Sequence, residues 1–361
     1  MKRFILVFVL LSALLQDMVF AADIKLIEKV SLSQEKEIIQ ASVSFAIPED
    51  DTFIILDVKA ANIKIFNRKG ELIKVWGNRG PGPKEFFAPL SCDYRNGNLA
   101  VMDVMKKRIF LFDTAGNTGL TFKQSFVCTG VGLGIALMEN GFLIAGSKSD
   151  LKGKPYDLYI QGFNKNEFTF LMPTGIRWER PAFEPVWKTY KKRPDLRALG
   201  SDGLCDWAGD YAYYVWKENL RIIKINLKTA EISYFGKQTG NYFKPAGTNR
   251  LLQLRIQQNS KLLYKEKSKM SIVRDIFATE NYVGVLYNAS KKNIDNSGDL
   301  SSKFILQLYS PEGEFLNEVT VSDKYAEIFM TQKGDYIYFL CMATDDYFDN
   351  NYDILKYRIE E

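Results

Sequence analysis

Apolar residues along the chain fall in short runs of four to eight, and within many runs they alternate with polar ones. That is the period of a strand, not of a helix. Residues 92–117, CDYRNGNLAVMDVMKKRIFLFDTAGN, show the pattern: a strand, an Asn-Gly turn at Asn96-Gly97, a strand carrying Leu99 and Val101, a polar link, and the strand IFLF ending at another Gly turn. Asn-Gly between two alternating runs is a strong short-range hairpin signal, because both residues tolerate positive φ. The same order recurs from Ala46, Ile135, Cys205, Arg274 and Ala326, which makes six copies. A fourth strand follows the Gly turn in copies such as ELIKVWG from Glu71, EISYFG from Glu231 and EFLNEVTV from Glu314.

Repetition on this scale defines the fold before any single motif does. Four-stranded antiparallel units repeated radially are propeller blades, so the pattern predicts an all-β, six-bladed β-propeller. The last copy stops after DILKYRIEE without a fourth strand, and DIKLIEKVSL from Asp23 is a strand with no hairpin partner. The N-terminal strand is therefore expected to complete the last blade and close the ring, leaving no open edge.

This topology sorts the loops onto two faces. Links from first to second strand and from third to fourth are short turns such as RNGN, MENG, NRKGE and SPEGE. Surplus length gathers on the other face, chiefly in insertions over about 175–202 and 237–270. Long loops on a rigid scaffold are where binding residues concentrate. The first insertion sets Trp178, Trp187 and Tyr190 among Arg177, Arg180 and Lys188, a mixture suited to stacking on sugars, peptides or anionic polymers. The same residues also suit packing of the insertion onto the blades.

The stretch WGNRGPGPKEFFAPL, residues 76–90, raises a Gly-rich phosphate cradle as a question. Pro81 and Pro83 each lack an N–H, and the segment leads into a strand instead of a helix, so it reads as a crossing between blades with Arg79 or Lys84 lining the face. TDDYFDNNYD places Asp345, Asp346, Asp349 and Asp353 close together, which suits calcium. It lacks alternating ligand spacing and reads first as a solvated acidic turn.

Composition narrows the chemistry. The 361 residues contain no histidine, which excludes histidine-based triads, general bases and zinc ligands. A net charge of +5 spread along the chain does not point to nucleic acid. The start, MKRFILVFVLLSALLQDMVFAAD, has the layout of a signal peptide cleaved after Ala21, so residues 1–21 are expected to be a leader and 22–361 one exported domain, periplasmic or extracellular, with no transmembrane segment after cleavage. Of the four cysteines, Cys92 and Cys205 sit at equivalent places in nonadjacent copies and are expected to be buried free thiols.

Residues 80–117 resemble an NHL-type repeat through Gly80, Pro81, Gly82, Glu85, Phe86, Pro89, Gly97, Asp103, Arg108, Ile109, Phe112, Asp113 and Gly116. The chain as a whole is similar to NHL- and TolB-like propellers of bacterial envelopes. That resemblance implies a binding module or scaffold engaging a protein, peptide or glycan on the insertion-bearing face. Some six-bladed propellers are calcium-dependent hydrolases or lactonases, and the resemblance carries that alternative too; its ligands would be carboxylates and amides around a metal on the axis.

Overall fold

The computed structural model describes residues 22–33, 35, 37–48, 52–114, 119–128, 131–164, 167–173, 203–217, 219–242, 271–289, 303–343 and 351–360. These form six four-stranded antiparallel sheets arranged as blades, with no helix among the described residues. Blade one comprises Ser42–Ala46, Phe53–Asp57, Asn62–Phe66 and Leu72–Trp76, and blade two Pro89–Arg95, Asn98–Asp103, Arg108–Asp113 and Thr121–Val127. Blade three comprises Val131–Met138, Gly141–Ser149, Pro155–Gly162 and Phe168–Pro173, and blade four Gly203–Ala208, Tyr211–Trp216, Asn219–Asn226 and Ile232–Phe235. Blade five is Ile272–Ala278, Val283–Ala289, Lys303–Tyr309 and Phe315–Ser322. Blade six takes Tyr325–Lys333, Tyr336–Ala343 and Tyr352–Glu360 from the end of the chain and Asp23–Ser31 from its start, as the missing fourth strand requires.

Burial explains the sequence pattern. The second and third strands of a blade pack on neighbours through both faces, so Phe53–Asp57 and Asn62–Phe66 are buried at every position. The outermost strand keeps one side in solvent, and Leu72–Trp76 is only partly covered. Each seam between adjacent blades holds its own apolar core. Between blades one and two, for instance, Ile54, Leu56 and Ile63 meet Leu99, Val101 and Phe110; between blades six and one, Leu340 and Ile354 meet Phe45 and Ile55.

Turn chemistry matches the sequence reading. Asn96 and Gly97 take φ of 50° and 73°, the left-handed pair that a tight hairpin needs. Asp103, fully buried, accepts backbone N–H bonds from Phe87 (2.6 Å), Ala88 (3.2 Å), Met105 (3.1 Å) and Lys106 (3.0 Å), joining the entry of blade two to its second turn. Asp57 does the same in blade one for Gln40, Ala41 and Ala60, and also accepts from the buried ammonium of Lys64 at 2.8 Å. The aspartate of the repeat is thus a clamp on two chain reversals.

Candidate functional site

The inner strands of all six blades surround an axial cavity of about 370 Å³. Its walls run from mid-strand to the short-turn ends, including Asn96, Glu139, Trp207 and Lys333, so it occupies the half of the channel nearer the short-turn face. A second cavity of about 350 Å³ adjoins it and shares Arg95, Asn96, Glu139 and Trp207.

Side-chain bonds stitch every seam around this axis. From blade one, the Ser44 hydroxyl accepts from the Cys92 N–H (3.2 Å); from blade two, Asp93 accepts from the Leu137 N–H (2.6 Å). The Trp207 indole of blade four donates back to the Leu137 carbonyl (2.8 Å), and Asp206 accepts from the Ala278 N–H of blade five (2.7 Å). Asp275 accepts from the Met330 N–H of blade six (3.0 Å), and the Lys333 ammonium donates to the Pro48 carbonyl, just past the inner strand of blade one (2.6 Å). First strands of different blades share no backbone ladder, so these bonds satisfy groups that would otherwise face the channel unpaired.

Arg95 spans the cavity mouth. It donates through Nε to Asp93 (3.1 Å), through Nη1 to the Trp207 carbonyl (3.1 Å), and through Nη2 to Asp206, and its guanidinium lies 4.9 Å from the centre of the Trp207 ring. Blade two is thereby tied to blade four over blade three. Desolvation raises the Asp93 and Asp206 carboxyls, Asp206 to about 6, against the pull of Arg95. Asp275 has two backbone N–H partners, Ile276 and Met330, and no cation within ion-pair distance among the described residues. Burial, with a smaller push from Asp206, lifts it to about 7 despite those bonds. The cavity wall carries four acidic side chains, Asp93, Glu139, Asp206 and Asp275, against two basic ones, Arg95 and Lys333.

Of the residues singled out in the sequence, the described ones, Arg79, Lys84 and Asp353, do not line this cavity. Arg79 donates to the carbonyls of Phe87 (3.2 Å) and Lys59 (3.1 Å), fastening its loop to the second link of blade one on the face opposite the cavity. Lys84 is exposed in the same loop. The question of a phosphate cradle has a physical answer here. The carboxylate of Glu85 accepts from the Gly82 N–H (2.6 Å), and a β-carbon at Gly80 or Gly82 would collide with it. The loop's glycines make room for the chain's own anion, while Phe86 is fully buried between Trp76 and Phe110.

Arg177, Trp178, Arg180, Trp187, Lys188 and Tyr190 lie outside the described residues, as do Asp345, Asp346 and Asp349. Asp353 is placed in the closing blade, where it accepts from the Ser31 hydroxyl (2.7 Å) and the Tyr325 hydroxyl (3.0 Å) and pairs with Lys29 (2.8 Å). Among the described residues no three Cys, Asp or Glu side chains form a metal-holding group. All four cysteines are free, and Cys92 and Cys205 share one register, opposite Val101 and Tyr214; Cys205 is buried as expected, whereas Cys92 is only partly so.

Sequence reasoning singled out none of Asp93, Arg95, Asp206 and Asp275 as site residues. A signal was present: Cys92-Asp93 and Cys205-Asp206 repeat an acidic residue at one register of two inner strands, and Arg95 adds a cation at the end of the first.

The fold and site together define a six-bladed propeller with a charged axial cavity, and the comparisons agree on the fold. Residues 25–131, which span the closing strand and blades one and two, match the family described as a 6-bladed beta-propeller. The structure is similar to that of a Bacteroides fragilis protein described as exported, with a TM-score of 0.59 and 14% identity over 94% of this chain and 96% of that one. It is also similar to a member of the DUF4221 family from Bacteroides vulgatus, with a TM-score of 0.61 and 8% identity over 94% and 99%. Curated proteins yield no match in sequence.

Proposed function

We propose that this chain is an exported binding module of the NHL- and TolB-like kind, and that it holds a small polar ligand in the axial cavity. The observation that carries the reading is the wall itself. Three inner-strand carboxylates from blades two, four and five and one guanidinium line a space within the usual range of ligand sites, roughly 300–1,000 Å³. Serine serves the same seam-bridging role in blade one, so the architecture alone does not require charge at the other seams. Desolvated charges are costly to keep, and a ligand that pairs with them recovers that cost. The insertion-bearing face is a separate surface for a protein, peptide or glycan partner.

Ligand-observed NMR against a panel of small polar compounds tests the cavity. Thr331 lines it, and Thr331→Trp puts an indole into the space. Compounds that bind the native protein are expected to lose binding in the folded variant. Undiminished binding by Thr331→Trp, or no binding by either protein, overturns this site.

A further inference from the structure

The carboxylates of the cavity wall outnumber its cations by two, and the imbalance is not evenly spread. Arg95 serves Asp93 and Asp206 together, whereas Asp275 accepts hydrogen bonds only from backbone N–H groups and feels Lys217 as a cation beyond ion-pair distance. Asp206 and Asp275 line the same cavity, and the charge of Asp206 disfavours ionisation of Asp275, so a positive charge seated beside them opposes that push. The wall also shows which kind of cation it accommodates. The chain's own guanidinium is held there by two carboxylates, a carbonyl and an indole face, four contacts that a planar, donor-rich cation can make at once.

Volume limits the rest of the ligand. The cavity of about 370 Å³ corresponds to roughly a dozen waters at about 30 Å³ each, so it takes one small molecule or the end of a side chain. A bare metal ion is a poorer fit. Calcium asks for six to eight converging oxygens, and among the described residues no metal-holding group is formed.

We propose that the axial cavity takes a small organic cation, a guanidinium or primary ammonium, seated against Asp275 and Asp206 beside the guanidinium of Arg95. This deepens the binding-module reading and rests on it. The ligand carries one positive charge and its own hydrogen-bond donors, as a free amine or the end of an arginine or lysine side chain would. Its charge gives Asp275 a direct ion-pair partner, which no cation among the described residues provides, and its donors find the carboxylate lone pairs that the backbone leaves unused.

Calorimetric titration at pH 8 with butylguanidinium and with butylurea, its uncharged analogue of similar shape, decides the matter. Butylguanidinium is expected to bind at least tenfold more tightly than butylurea. That preference should shrink at least tenfold in Asp275→Asn and stay unchanged in Asp210→Asn, whose carboxylate sits in an exposed pair with Lys228. Equal binding of the two probes overturns the cation class, as does a preference that survives Asp275→Asn. The comparison of probes uses the native protein, so it stands even if the variant does not fold. If both probes bind equally and Thr331→Trp abolishes both, the cavity remains a binding site and only its charge selectivity falls. If neither probe binds, the cation class falls, and the wider NMR panel then decides whether the cavity reading falls with it.

Discussion

Arg95 at the end of the inner strand of blade two pairs with Asp206 on the inner strand of blade four, reaching over the blade between them. Contacts in a propeller run mainly between neighbouring blades, so this bond ties the ring across a chord.

Arg95→Met tests how much that chord holds. The change leaves Asp93 and Asp206 without their cation in a desolvated wall, while the Arg95 side chain retains 27% exposure. The expected loss is about 2–3 kcal/mol in urea unfolding at pH 7, below the roughly 3–5 kcal/mol of a fully buried pair. Arg95→Lys should recover little, because one ammonium does not reproduce a fork reaching two carboxylates and a carbonyl. A loss below about 0.5 kcal/mol, the scale of a surface pair, would show that solvent already screens the bond.

Asp275 gives the fold a pH dependence of defined sign. Burial raises its carboxyl from 3.8 to about 7, and Asp206 and Cys92 share its surroundings with Lys217. The native state therefore holds a proton that the unfolded chain releases. This contribution to stability is complete below about pH 4 and is lost as pH rises to 7. Asp206, raised to about 6, acts in the same direction. Asp275→Asn removes the larger titration but puts an amide N–H₂ against one of the two backbone donors, costing about 1 kcal/mol or more. Thermal unfolding should show the native protein ahead of the variant at pH 5, with the gap narrowing toward pH 8. Parallel curves would remove Asp275 from the titration.

Blade architecture was legible in the sequence because it rests on local signals. Asn96-Gly97 fixes a turn, alternation fixes strand faces, and the unpaired strand from Asp23 matches the missing strand after Glu360. The cavity was not legible, because its geometry is radial. Arg95 and Asp206 stand 111 residues apart, and nothing in either neighbourhood says that the inner strands of blades two and four face one axis. Loop length is visible in a sequence and points to the long insertions, whereas the described cavity lies toward the face with the shortest turns.

The thiols should be silent in the folded protein. Cys128, Cys205 and Cys341 are buried, and burial pushes the thiol of Cys92 up to about 12. Thiolate is the reactive species, so little of it forms at pH 8. Ellman's reagent is expected to find no rapidly reacting thiol in native protein and four after denaturation. A fast native reaction would place a thiolate at the surface.

Lys64→Met examines the clamp at blade one. The ammonium is completely buried and donates to Asp57 (2.8 Å) and Asn62 (3.1 Å), with Glu37 at 3.3 Å. Methionine fills similar volume but leaves Asp57 a buried carboxylate supported only by backbone N–H groups, so a loss of about 3–5 kcal/mol is expected. Hydrogen exchange should quicken first at Gln40 and Ala41, whose N–H groups depend on that carboxylate. A stability change within about 0.5 kcal/mol would mean that the backbone N–H groups alone hold the Asp57 carboxylate.

Asp353 closes the ring through side chains as well as through the strand ladder. It lies opposite Ser31 in register, takes that residue's hydroxyl, pairs with Lys29 two residues earlier on the same strand, and receives the Tyr325 hydroxyl from the inner strand of its own blade. Asp353→Ala strips three partners of their acceptor. Because Lys29 is half exposed its share is small, and the hydroxyl bonds dominate, giving an expected loss of about 2 kcal/mol. The loss should concentrate where the two ends of the chain meet, with faster hydrogen exchange across Asp23–Ser31 and little change in blade three. The same variant separates this structural role from a metal role. Calcium should leave the melting temperatures of native and Asp353→Ala protein unchanged, whereas stabilisation of the native protein alone would make Asp353 a ligand.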